Sequence, residues 1–227
     1  MAGDAFVAPT ASILGDVRVG AGSSVWYGAK VRGDVAAIAI GANSSIGDCA
    51  MVHSAKIQSD NPTAIGDNVT VGPNAIVHAC TIHSGAVIGA GARVLDGAVV
   101  HSGAVVAPGA LVGPGKVVGA GELWAGVPAK LLRPVTAEEA ATATAAVAEA
   151  AGLARLHATE CGKGHAEVAA DVDAAFDKAT RHPDYFPKVD PEVADVPVID
   201  GGTAPHPYEE NNRTATKFNK SNAYPVA

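Results

Sequence analysis

Aromatic side chains are scarce: four Phe, two Trp and four Tyr make up 4% of the 227 residues. A conventional interior draws much of its volume from such rings, so a core here must be assembled from smaller units. Cysteine is scarce too. Cys49, Cys80 and Cys161 stand at no metal-like spacing, which excludes a disulfide framework and a cysteine-ligated zinc and makes a reducing compartment the default. No apolar run approaches the roughly 20 residues that cross a bilayer, so no transmembrane segment is expected. Met1-Ala2-Gly3 leads directly into patterned sequence, and no secretory signal is expected.

Positive charge is limited and unevenly matched. Residues 1–134 carry eight Lys/Arg against eight Asp/Glu, whereas residues 135–227 carry eight against fifteen and hold the whole net charge of −7. Without a basic patch, nucleic acid is not an expected partner. A neutral first part suits walls covered by other chains.

Gly, Ala and Val are abundant, and they are periodic. An aliphatic residue recurs every sixth position at Ile82, Ile88, Val94, Val100, Val106, Val112 and Val118. Alanine follows four residues after the first five of these, and glycine marks the third offset from Gly85 to Gly115. The same beat occupies Val7, Ile13, Val19, Val25 and Val31, then Ile40, Ile46 and Val52, then Ile65, Val71 and Val77. Neither a helical period nor alternation produces this register. Hexapeptide repeats predict a parallel β-helix. Three units close one coil, and each aliphatic stacks on its counterpart about 4.8 Å along the axis. Alanine fills corners where a larger side chain would collide with its stacked neighbours. The end coils need covers.

The register breaks between Val31 and Ile40 around "RGDVAAIA", between Val52 and Ile65 in "HSAKIQSDNPTA", and between Val77 and Ile82, where one residue is missing. Loops are expected at such breaks, and their clustering marks the neighbourhood of a site. Beyond "WAGVPAKLLRP", Thr136 and Glu139 form a T-x-x-E capping box that opens an alanine-rich helix to about Cys161, expected to lie along the prism wall. A second helix is expected over 165–180. Seven prolines and many acidic residues from His182 onward predict an extended tail. The organisation is therefore 1–134 β-helix, 135–181 helical segment and 182–227 acidic, proline-rich tail.

The segments "FVAPTASILGDVRVGAGSSVWYGAKVRGDV", "IGDNVTVGPNAIVHACTI" and "GELWAGVPAKLLRPVTAEE" resemble the γ-class carbonic anhydrases. The resemblance spans about residues 5–160 and is greatest to the branch found as subunits of plant and algal mitochondrial complex I. It implies a left-handed β-helix, a trimer of parallel prisms, and a zinc held between subunits by three histidines. Two of those ligand positions fall on His53 and His78. The third, supplied by the neighbouring chain, falls on Pro73, which cannot ligate a metal. The family's glutamine position is Gly47, Asp48 beside it is kept, and a helix tyrosine position is Ala150. Arg32 and Asp34 resemble an inter-subunit ion pair, and Arg32, Asp34 and Asp48 are the expected interface residues.

Three functions compete. The resemblance with a damaged triad implies a non-catalytic structural subunit of a heterotrimer on the matrix side of mitochondrial complex I, with no cofactor in this chain alone. An active zinc enzyme hydrating CO2 needs the His53–His78 half-site to be completed by a neighbour. A hexapeptide acyltransferase shares the prism, but "RGD", "VPAK" and the helix point away from it, and no basic surface for a nucleotide is evident. The reading leans to the first. Trp26 is expected against a neighbouring subunit, Trp124 near the turn into the helix, and Cys80 in the core. His83 and His101, eighteen residues apart, are expected to stack as an exposed pair.

Overall fold

The computed structural model describes residues 2–56 and 60–180. Expectations for the tail beyond 181 lie outside them. Two units are distinguished, 1–170 and 171–227, and the first carries the site.

The first unit is a parallel β-solenoid of about six turns. Its first wall stacks Phe6–Val7, Ser24–Val25, Ser45–Ile46, Thr70–Val71, Val87–Ile88, Val105–Val106 and Glu122–Ala125, and Lys130–Pro134 closes it antiparallel. The second wall contains Met51–His53, Ile76–His78, Arg93–Val94 and Leu111–Val112, and the third contains Thr63–Ile65, Thr81–Ile82, Val99–Val100 and Val117–Val118. The long strands Ser12–Val19 and Lys30–Ile40 run through both, joining them into one ten-stranded sheet.

The hexapeptide positions behave as their spacing predicts. Val31, Val52, Val77 and Val94 stack in register and are wholly buried, as are the corner alanines Ala86, Ala92, Ala98 and Ala104. Each aliphatic touches its own kind one strand above and below, so a core with few rings still excludes water.

The first register break is not a loop. Lys30–Ile40 is a continuous strand pairing with Ser12–Val19, and its extra residues are taken up where the register shifts between Gly15 and Val17. Glycine makes this possible: a Cβ on Gly15 (φ +81°) would lie 2.2 Å from the Gly33 carbonyl oxygen. At the second break Ala55–Lys56 and Asp60–Asn61 pair as an antiparallel hairpin. At the third, the missing residue is absorbed by Ala79, whose left-handed φ of +45° aims its N–H at the His53 carbonyl.

Helix α1 spans Ala137–Gly162, and the Thr136–Glu139 capping box is present in both directions. Arg133 fastens that end through two contacts to Glu139 at 2.7 and 2.8 Å. α1 packs along the first wall, as expected, but Ala154 is its one buried residue. Helix α2 spans His165–Thr180. No described helix is long and apolar enough to cross a membrane.

Candidate functional site

The site grows from the end of the second wall. In the β ladder His53 lies beside Arg32, and His78 beside His53. Residues after an inward valine face outward, so these three side chains form one column on the outer surface. The hairpin and the shortened corner fix its backbone: the His53 carbonyl accepts from Thr63 Oγ1 at 2.6 Å and from Ala79 N–H at 2.9 Å.

The side chains form a continuous polar chain. Arg32 Nη2 donates to Asp34 Oδ2 at 2.7 Å, and His53 Nε2 meets Asp34 Oδ1 at 3.1 Å. His53 Nδ1 lies 3.2 Å from His78 Nε2, and His78 Nδ1 lies 2.5 Å from Asp96 Oδ1. The Arg32 guanidinium foremost, with the His53 contact, holds the Asp34 carboxyl below its ordinary range. Ionised carboxylates only accept, so the outer nitrogens of both histidines are the donors. Each neutral ring then turns a lone pair inward. Two lone pairs facing one another at this range call for a cation between them, a proton or a metal ion.

The structure brings together Arg32, Asp34, His53 and His78 but not the other expected positions. Pro73 and Gly47 stand at the corner between the first and second walls, the opposite edge from the histidines. They are mutual neighbours: a Cβ on Gly47 would meet Pro73 N at 2.8 Å. Asp48 accepts from Tyr27 N–H at 3.1 Å. Among the described residues no group of three or more His, Cys, Asp or Glu is arranged to hold a metal.

Asp96 was not singled out in the sequence; the coil after His78 is one residue short, with Val77 paired to Val94, and Asp96 lies two residues beyond that pair. A second cluster also escaped notice. Tyr27 Oη lies 2.8 Å from His157 Nδ1 and 3.3 Å from Cys161 Sγ, clamping α1 to the wall. Trp26 packs within the chain against Phe6 and His157, at centroid distances of 5.5 and 5.2 Å. Its Nε1–H reaches Ser45 Oγ, which lies on the adjacent strand of the same wall. Trp124 lies on the strand preceding the hairpin that leads into α1, donating to Glu122. Cys80 is buried, and burial pushes its thiol up to about 12. His83 and His101 stack at 5.1 Å with nearly parallel rings. A cleft of about 650 Å³ between α1 and the wall is lined by residues such as Asn43, Asn68, Ser84 and Val147, none of them titratable.

The family described as "Bacterial transferase hexapeptide (six repeats)" matches residues 62–96. "Gamma carbonic anhydrase 3, mitochondrial" of Arabidopsis thaliana is 56% identical over 162 residues, 70% of this chain and 63% of that protein. "Probable carbonic anhydrase" of Methanocaldococcus jannaschii is 50% identical over 133 residues, which cover 59% of this chain and 82% of that protein. The chain belongs to the γ-class carbonic anhydrase family. A solved hexapeptide transferase family protein from Anaplasma phagocytophilum shares the fold with a TM-score of 0.64 and 42% identity, over 67% of this chain and 89% of that one. The chain spans less than two thirds of the length of the first mitochondrial relatives it matches, from 59% to 66%.

Within this family the inward lone pairs acquire a specific meaning. Two nitrogens bound to one tetrahedral zinc at 2.0–2.1 Å stand about 3.3 Å apart, close to the 3.2 Å between His53 Nδ1 and His78 Nε2. A carboxylate on the far nitrogen of each ring is the usual support of a zinc-bound imidazole. The residues present therefore fit two ligands of a zinc, and this chain alone does not complete the set.

Proposed function

We propose that this γ-carbonic-anhydrase chain is a non-catalytic structural subunit of a trimer with related chains, attached to the matrix side of mitochondrial complex I. The observation that carries the reading is Pro73. A hydrolytic zinc takes three protein ligands and keeps a fourth position for water, whose pKa falls to about 7 when the metal is bound. His53 and His78 would supply two of the three, and the third belongs to a neighbour's first-to-second-wall corner. In a trimer of this chain alone, that corner offers a proline amide with no lone pair to give.

A mitochondrial location is supported by the name of the Arabidopsis relative. Complex I membership rests on the resemblance of the motifs. The experiment is purification of the tagged chain from mitochondria, with mass spectrometry, zinc analysis and CO2 hydration assays on both the assembly and the isolated chain. Related chains and complex I subunits should co-purify, and the isolated chain should hold substoichiometric zinc and show no hydration activity. Stoichiometric zinc with CO2 turnover in the isolated chain would sink the proposal.

The 3.2 Å nitrogen separation favours one further reading. Beside a neighbour that has a histidine at the Pro73 position, His53 and His78 complete one zinc site while this chain's opposite corner leaves its own interface empty. Hydration activity in the mixed assembly, lost on His78→Ala, distinguishes it from a purely structural role.

A further inference from the structure

We infer that Asp96 is the positioning residue that makes His78 a metal ligand. The inference rests on the reading that the second wall lends two donors to a shared zinc. Three observations carry it. Asp96 Oδ1 is 2.5 Å from His78 Nδ1, so the proton of the neutral ring is held on Nδ1 and the Nε2 lone pair is turned toward His53. A free histidine side chain favours the opposite tautomer, with its proton on Nε2, which has no lone pair to give a metal. Without Asp96, His78 would rest in its unreactive form.

The second observation is rigidity. Asp96 sits on a solenoid corner whose backbone is tied on both sides: its carbonyl accepts from Gly115 N–H at 2.8 Å, and Gly97 N–H donates to the Ala79 carbonyl at 2.7 Å. Ala79 directly follows His78, so the orienting carboxylate and the oriented ring are anchored to the same stacked backbone. The third is charge. Asp34, the corresponding partner of His53, shares its carboxylate with Arg32. Among the described residues, Asp96 pairs with His78 and no other cationic side chain. The full negative charge of Asp96 therefore acts on one imidazole and raises the donor strength of its far nitrogen. Of the two carboxylates, Asp96 has the larger effect.

Two measurements test this, neither of them catalytic. In the unmodified chain at pH 9, ring nitrogen NMR should show His78 protonated at Nδ1, and Asp96→Ala should move the proton to Nε2. In a Pro73→His background, which restores a third ligand at each interface of a homotrimer, zinc should bind at about one per chain. Cobalt substitution should then give the absorption of a tetrahedral site. Adding Asp96→Asn, which keeps shape and loses charge, should weaken zinc about 10–100-fold in chelator competition, with a smaller loss for Asp34→Asn and partial recovery for Asp96→Glu. Unchanged affinity in folded Asp96→Asn and Asp96→Ala variants, or an unchanged tautomer in Asp96→Ala, overturns the role of Asp96. Failure of the Pro73→His protein to take up zinc overturns the half-site reading and this inference with it, and the tautomer measurement tells the two failures apart.

Discussion

Truncating one stacked aliphatic tests whether the prism is as unyielding as its geometry implies. Ile88 is wholly buried and lies in register between Val71 and Val106 on the first wall. Ile88→Ala removes three carbons, about 2.4 kcal/mol at roughly 0.8 kcal/mol per buried CH2 group. A cavity term adds to this according to how far the surroundings collapse. Collapse is opposed on both sides: Gly72 N–H donates to the Ile88 carbonyl at 2.7 Å and Gly89 N–H to the Val106 carbonyl at 2.8 Å. These bonds set the coil spacing, and the flanking corners hold fully buried Ala86 and Ala92, which have no longer side chain to swing inward. The expected cost is therefore in the upper part of the usual range, about 3–5 kcal/mol. Val117→Ala is the control, since Val117 is 52% exposed on the outside of the third wall, with an expected change within about 0.5 kcal/mol. Guanidinium unfolding at one fixed protein concentration measures both, because any association adds to apparent stability. A cost below about 1 kcal/mol for Ile88→Ala, or equal costs for the two, refutes the rigid-prism argument.

Two further outcomes follow from the pKa shifts. Arg133 foremost, then the Thr136 N–H, holds the Glu139 carboxyl at about 2 against an ordinary 4.5. A depressed folded value stabilises above the unfolded one and is lost as pH falls through the folded one, so the α1 circular dichroism signal should decline between about pH 4.5 and 2. Glu139→Gln should remove that share of the decline; an identical pH profile in the variant refutes the capping argument. Cys49 and Cys161 are exposed, whereas burial raises the Cys80 thiol to about 12. A disulfide reagent at pH 8 should titrate two thiols in the native protein and the third only after denaturant is added. Three rapid reactions would show that the Cys80 corner opens.

The repeat was legible because the same physical demand recurs in every coil, so an error at one position is corrected by the next. Ile82 through Val118 and the corner alanines fall inside as their spacing predicts. The breaks were legible as places but not as conformations. "RGDVAAIA" looks like a loop because it adds residues, yet Gly15 and Gly33 allow two strands to round a corner in contact, which requires knowing that they are adjacent. The contact of Trp26 with His157 was not legible, because the two lie 131 positions apart and nothing local announces that α1 returns to this point. Asp96 was hidden for a different reason. A single aspartate in "VLDGA" has no motif, and the missing residue after Val77 shifts the register there, so its place beside His78 appears only in the structure.

The two edges of the second wall differ in chemistry. At one edge stand Gly47 and Pro73, neighbours in space, at the positions that the family resemblance gives to a glutamine and a third histidine. At the other, Arg32, Asp34, His53, His78 and Asp96 form an unbroken chain of contacts from 2.5 to 3.2 Å. This second edge presents two histidine nitrogens 3.2 Å apart, which under the proposed function a neighbouring chain completes. In a closed ring of three prisms each interface joins one edge of each kind. A trimer built only of this chain would then have three identical half-sites, and one that includes a chain with a histidine at the Pro73 position would, on the proposed reading, have a complete site where that corner meets this chain's histidine edge. The stoichiometry of the assembly, rather than any residue here, therefore sets whether the histidine pair ever meets a third ligand.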